Sequence, residues 1–326
     1  MTATRKHCEA KQIFCGVDVS SEFLDVQVGR SGPRARFSNE EEGIETLADF
    51  CRKHGVDMVV MEASGGYEQL AFGRLHGLGI AVAMVNARAV RRFAQAMHLF
   101  EKTDRIDAGV IAWYAETKQV QPCHPPSVDQ RRIKALVTRL RQLTELRQIQ
   151  QNQRRLVREP VVLQCFHEMM VVLNKQIKFL ERQIAQLINT DPLWRELNTS
   201  FRSIKGVADR TVARLMAELP EIGTLSNKKI SKLVGLAPLA DDSGKHKGKR
   251  KIFGGRESVR SILYIVVTCV SRYNQDFTDF QQRLRKAGKA KKVVRVALAH
   301  KLLVRLNAKA RQQRELVAQQ ACVSPA

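Results

Sequence analysis

The chain has 326 residues, with 55 Lys+Arg against 32 Asp+Glu and a formal net charge of +23 at pH 7. So basic a balance suits a polyanionic partner and argues against an acidic or neutral one. Seven scattered cysteines without CxxC or Cys/His ligand spacing give no sign of a disulfide framework or a zinc site. No apolar run reaches transmembrane length, so no membrane partner is expected.

The charge is unevenly placed. Up to Val120 there are 15 Lys+Arg and 16 Asp+Glu, which leaves 40 basic and 16 acidic residues for the remainder. A neutral front suits carboxylates that bind divalent cations, and a basic back suits phosphate backbones. The expected fold is α/β followed by all-α, with domains at 12–121, 127–190 and 197–316.

Alternating apolar residues predict strands over Ile13–Val19 and Phe23–Val28, joined by a Ser20-Ser21-Glu22 turn. A third strand is expected over Arg34–Phe37, then a helix capped by Asn39 with Ile44, Leu47, Ala48 and Phe50 on its apolar face. Asp57–Glu62 reads as a short buried strand ending on an acid, and Gly65-Gly66 turns the chain into a helix over Tyr67–Leu78. A strand over Ile80–Val85 and helices over Ala87–His98 and Thr103–Lys118 follow, before the prolines 122, 125 and 126 mark a linker.

Beyond it, Ile133, Leu136, Val137, Leu140, Leu143, Leu146 and Ile149 recur at helical spacing, as do Phe166, Met170, Leu173, Ile177, Leu180, Ile184 and Leu187. This reads as a coiled-coil helical arm. The same spacing also serves two ordinary bundle helices packed on their own domain.

Ser203–Ala213 resembles a helix-hairpin-helix element in which Lys205 and Gly206 would meet a phosphate, although Ala208 stands where a second glycine is usual. A structural turn explains it equally. After a helix over Asn227–Val234 comes a loop, Gly235–Gly255, with Asp241-Asp242-Ser243-Gly244 and the basic run Lys245, Lys247, Lys249, Arg250 and Lys251. Helices are expected over Glu257–Tyr273, Gln275–Lys286 and Lys291–Lys309, then a disordered tail after Arg314.

Four acids stand out: Asp18 at a strand end, Glu62 at the end of a later strand, and Asp104 and Asp107 three apart on one helix face. Hard divalent cations need several convergent carboxylate oxygens, and two such ions can hold both oxygens of an in-line phosphoryl displacement. Taken singly each acid could be a cap or a solvated group. Their order, with the βββαβαβα reading, is that of RNase H-like folds.

Gly16-Val17-Asp18, Met61–Tyr67, Val85-Asn86 and Lys102–Ala108 together resemble the RuvC-like DEDD domain of a large group of bacterial insertion-sequence transposases, relatives of Piv-type DNA invertases. Ile204–Val207, Leu233–Pro238 and Asp242-Ser243-Gly244 are similar to that group's C-terminal transposase domain. The cysteine pattern and the lack of a signal-peptide core over Met1–Gln12 read as cytoplasmic, and the resemblance implies a bacterial recombinase with Mg2+, or Mn2+ in its place, at Asp18, Glu62, Asp104 and Asp107. It further implies Ser243 as nucleophile, an element-encoded bridge RNA that pairs with donor and target DNA, and a homo-oligomer, dimer to tetramer.

By sequence alone Ser243 is also a turn serine, and Ser20, Ser21 and Ser64 are rivals near the acids. Arg88, Arg91, Arg92, Lys289, Lys291 and Lys292 are expected, with the loop cations, to contact nucleic acid, the bland reading being solvated surface. Only 6% of residues are aromatic, so base stacking is not expected to dominate. Two other functions fit the composition: a RuvC-like hydrolytic nuclease or junction resolvase in which water attacks, and a non-catalytic packaging protein.

Overall fold

The computed structural model describes residues 12–99, 104–240, 242–244, 246–248 and 250–323, without the side chains at 104–106, 246–247 and 321–323. The chain divides into two compact units, Met1–Pro126 and Ser127–Ala326.

The first unit runs β1 (Phe14–Val19), β2 (Phe23–Val28), β3 (Arg34–Ser38), α1 (Glu41–Lys53), β4 (Met58–Glu62), α2 (Glu68–Gly77), β5 (Val82–Val85), α3 (Ala87–Ala96) and α4 (Asp104–Lys118). The five strands form one sheet in the order β3-β2-β1-β4-β5. β1 to β3 are antiparallel neighbours, whereas β4 and β5 run parallel to β1. The expected βββαβαβα order is present.

Strict alternation sorts the side chains. Cys15, Val17, Val59, Met61 and Val82 pack with residues of α1 and α2. Phe14, Met58, Val60, Ala83 and Val85 pack with Val90 and Phe93 of α3 and with Val110, Ile111 and Ala115 of α4. One position differs from expectation. Glu40, not Asn39, is the cap residue of α1, and the Asn39 side chain instead donates to Ser20 O at 2.9 Å and Tyr67 O at 3.1 Å.

The second unit consists of α5 (Val128–Arg154), α6 (Pro160–Thr190), α7 (Pro192–Arg202), α8 (Asp209–Glu218), α9 (Asn227–Val234), the two-residue strands β6 (Asp242–Ser243) and β7 (His246–Lys247), α10 (Glu257–Tyr273), α11 (Gln275–Lys286) and α12 (Lys291–Val323). Its apolar residues form one continuous cluster, which includes Ile133 to Leu143 of α5 and Leu173 to Ile188 of α6. Those parts of the two seams are therefore buried in the unit's own core, while Leu146 and Ile149 further along α5 are exposed.

α12 continues through the segment expected to be a disordered tail. Arg311 donates to Leu225 O, and Arg314 to Ile222 O and Pro220 O. Residues 310–323 contain neither Gly nor Pro and are rich in good helix formers, so nothing in the chain stops the helix there. The turn between α7 and α8 has Gly206 at φ +99°, and a Cβ on it would lie 2.7 Å from the Val270 nitrogen and 2.8 Å from the Val270 Cα. This glycine is required by the close passage of α10, a role that needs no phosphate.

Candidate active site

β1 and β4 pair in parallel, Phe14 with Met58, Gly16 with Val60 and Val17 with Met61. Asp18 and Glu62 are the residues that follow the last pair on each of these adjacent strands. Both extend the alternating series that faces α3 and α4, and both are half-buried. The pairs Asp18 with Asp25 and Asp25 with Arg36 continue this row across the sheet. The Asp25 carboxylate accepts two 2.8 Å hydrogen bonds from Arg36, which neutralises a charge that would otherwise repel Asp18.

α4 reaches the row because Gly16 lets it. A Cβ at Gly16 would stand 2.0 Å from Ala108 O and 2.6 Å from Ala112 N, so the helix backbone rests directly on β1. Ala108, Ala112 and Ala115 are all buried, a small-residue face that permits this approach. Asp107, next to Ala108, is half-buried. The Asp104 side chain lies outside the described residues. An all-carboxylate donor set suits a hard divalent ion. Among the described residues no group of three or more His, Cys, Asp or Glu is assembled to hold a metal.

Two residues that pattern reading missed shape the loops leaving this row. Asn39 ties the turn after Asp18 to the segment after Glu62 through its bonds to Ser20 O and Tyr67 O. Glu68, 5% exposed, accepts from Ser64 N at 3.1 Å, Ser64 Oγ at 2.9 Å and Gly66 N at 2.8 Å, while Gln69 donates to its other oxygen. Burial alone raises this carboxyl. The hydrogen bonds from Gln69, the local backbone and Ser64 overcome that effect and hold its pKa at about 2. An acid opening a helix straight after Gly-Gly was the available signal, since exposed N–H groups there attract a carboxylate.

Two of the three rival hydroxyls are occupied, while Ser21 is exposed and makes no side-chain hydrogen bond among the described residues. Ser20 Oγ bonds with Phe23 O and Phe23 N at 2.9 Å each, and Ser64 Oγ donates to Glu68. Ser243, like Ser21, is exposed and makes no side-chain hydrogen bond among the described residues. It lies on β6, paired with His246 of β7, so the segment expected to be a loop is a short hairpin turning at Gly244, φ +52°. Arg250 braces the hairpin by its 2.8 Å ion pair with Asp242, and Leu239 bridges to Lys251 at its root.

The structure brings Arg250, Lys251 and Lys292 to one groove of about 840 Å3, floored by Leu236, Ile252 and Val296. Lys205, Lys289 and Lys291 are exposed. Arg88, Arg91 and Arg92 sit on α3, which starts immediately after β5 with Asn86 as its cap, accepting from Arg88 N at 2.9 Å. Lys245, Lys249 and the Lys247 side chain lie outside the described residues.

Two regions of the chain match families of known proteins. Residues 15–158 match a transposase model of the IS110 DEDD type, and residues 198–282 match the transposase IS116/IS110/IS902 family. The two matched regions are transposase domains of the IS110 type. Pilin gene-inverting proteins of Moraxella bovis and Moraxella lacunata are each 26% identical over 321 residues, covering 92% of this chain and 96% of theirs. A Thermus thermophilus RuvC structure aligns with 34% of this chain and all of its own at 13% identity and a TM-score of 0.25. Transposase domains imply a DNA substrate. Among the described residues no helix is long and apolar enough to cross a membrane.

Proposed function

We propose that this transposase is a divalent-metal-dependent recombinase in which Asp18, Glu62, Asp104 and Asp107 hold Mg2+, with Mn2+ as the alternative ion, and the Ser243 hydroxyl is the nucleophile. The observation that supports the reading is the parallel pairing of β1 with β4, whose last pair, Val17 with Met61, is followed on each strand by Asp18 and Glu62. Bound ions would neutralise phosphate charge and ease deprotonation of a hydroxyl. The protein's own parts divide the rest of the work. Asp25 and Arg36 keep a third strand from adding net charge to the row, and Glu68 and Asn39 fix the loops from which the acids emerge.

Ser243 Oγ attacks phosphorus and forms a phosphoserine ester, while the bond to one strand end breaks and that end leaves as a hydroxyl. The serine proton passes to water and the leaving oxygen takes one up. The ester retains the bond energy, so attack by another strand's hydroxyl rejoins DNA and returns the serine without ATP. The exposed hairpin supports this role, because a nucleophile without competing hydrogen bonds can be presented to a site in its own chain or another. Cutting and rejoining is also what inversion requires of the pilin gene-inverting relatives.

Target choice in this reading is delegated to a bridge RNA, in keeping with an aromatic content of 6%. The recombinase works as a dimer or tetramer, with the outer turns of α5 and α6 forming the coiled-coil contact and Arg88, Arg91, Arg92, Lys205, Arg250, Lys251, Lys289, Lys291 and Lys292 among the residues that hold nucleic acid. Ser243→Ala separates this from hydrolysis by water. The recombinase loses both strand exchange and its protein–DNA adduct, whereas undiminished cutting by Ser243→Ala would establish the nuclease instead.

A further inference from the structure

The second unit contains another concavity, of about 470 Å3, between α10, α11 and the first turns of α12. Its wall carries five cations, Arg272, Arg285, Lys291, Lys292 and Arg295, and no carboxylate. None of the five forms an ion pair among the described residues. Some arginines of this unit are paired, as Arg305 is with Asp276 and Arg256 with Glu221.

A solvated basic surface spreads its charges over convex ground. Here three helices bring theirs to the wall of one hollow, where like charges repel. The Arg295 guanidinium lies 4.8 Å from the Tyr264 ring centroid, which holds it at the wall and occupies the lining's only aromatic ring. Thr268, Ser271 and Gln281 add uncharged polar groups. Cations and hydroxyls without a platform for a base suit phosphate oxygens, not nucleobases.

We propose that this hollow is a phosphodiester-binding pocket that grips a short run of nucleic-acid backbone, independent of sequence. It rests on the reading that the chain handles nucleic acid, and it adds Arg272, Arg285 and Arg295 to the residues that do so. The shared chemistry admits two sources, a DNA duplex or a folded RNA.

The test measures binding of the full chain to a 30-base-pair DNA duplex and, separately, to an RNA hairpin of equal charge, across 50–300 mM salt. The variants are the triple Arg272→Gln/Arg285→Gln/Arg295→Gln and a control of equal charge loss on α5, Arg131→Gln/Arg132→Gln/Lys134→Gln. The pocket variant is expected to lose roughly tenfold or more in affinity for one of the two ligands, with the log–log salt slope falling by about 2 to 3, and the control to change little. The affected ligand names the source. Equal losses in both variants, or none in the pocket variant, would overturn the pocket while leaving the DNA chemistry standing. Wild-type protein that binds neither ligand would overturn both.

Discussion

Gly16→Ala tests whether α4 must rest on β1 for the acids to work. The new Cβ would meet Ala108 O at 2.0 Å and Ala112 N at 2.6 Å, both backbone atoms that no rotamer change can remove. Ordinary carbon contacts lie near 3.5 Å, so α4 has to retreat by more than about 1 Å. Overpacking of this kind costs about 3 kcal/mol, and an ångström of displacement at a reacting centre costs roughly 100-fold in rate. Asp107 moves with Ala108, so both effects follow from one methyl group. Hydrogen exchange should show lost protection across 104–118 in a protein whose second unit is unaffected, and metal-dependent DNA cleavage should drop by about two orders of magnitude. Protection and cleavage both within threefold of wild type would refute the claim that this contact positions the helix.

Glu68→Gln should loosen the Ser64–Gly66 loop and alter acid sensitivity. The folded carboxyl has a pKa of about 2 against the ordinary 4.5 of a glutamate. The unfolded chain therefore binds more protons between those values, so the stabilisation is complete above pH 4.5 and vanishes as pH falls through 2. Its size is at most about 3 kcal/mol, solvent screening reducing it, and acid-titration unfolding of the variant should lack that pH-dependent component. Gly206→Ala forces a side chain into the backbone at Val270 and a positive φ, and should destabilise the second unit by about 2–4 kcal/mol in chemical denaturation. A phosphate-only role for Gly206 predicts unchanged stability and weaker nucleic-acid binding.

The sheet was legible because β1, β2, β4 and β5 alternate or run apolar over four to six residues, long enough for the period to show. Asp18 and Glu62 were legible because each ends such a strand. Less was readable where contacts are remote in sequence. Asn39 looks like a helix cap until Ser20 O and Tyr67 O are seen beside it, and Gly206 looks like a phosphate turn until α10 is placed against it. The β6–β7 hairpin has two residues per strand, too few for periodicity. The end of α12 is not legible because the helix leading into it is held through Arg311 and Arg314 on carbonyls at 220, 222 and 225, about 90 residues upstream. Arg272, Arg285 and Arg295 come from three helices, so no charge run announces them.

The most direct measurement is DNA strand cleavage by wild type, Asp18→Asn and Glu62→Gln, with and without Mg2+, on a substrate carrying both element ends. The account predicts cleavage by wild type only when Mg2+ is present, and a loss of at least about 100-fold in each variant with its fold intact. Cleavage that survives chelation, or that either variant retains, would contradict it.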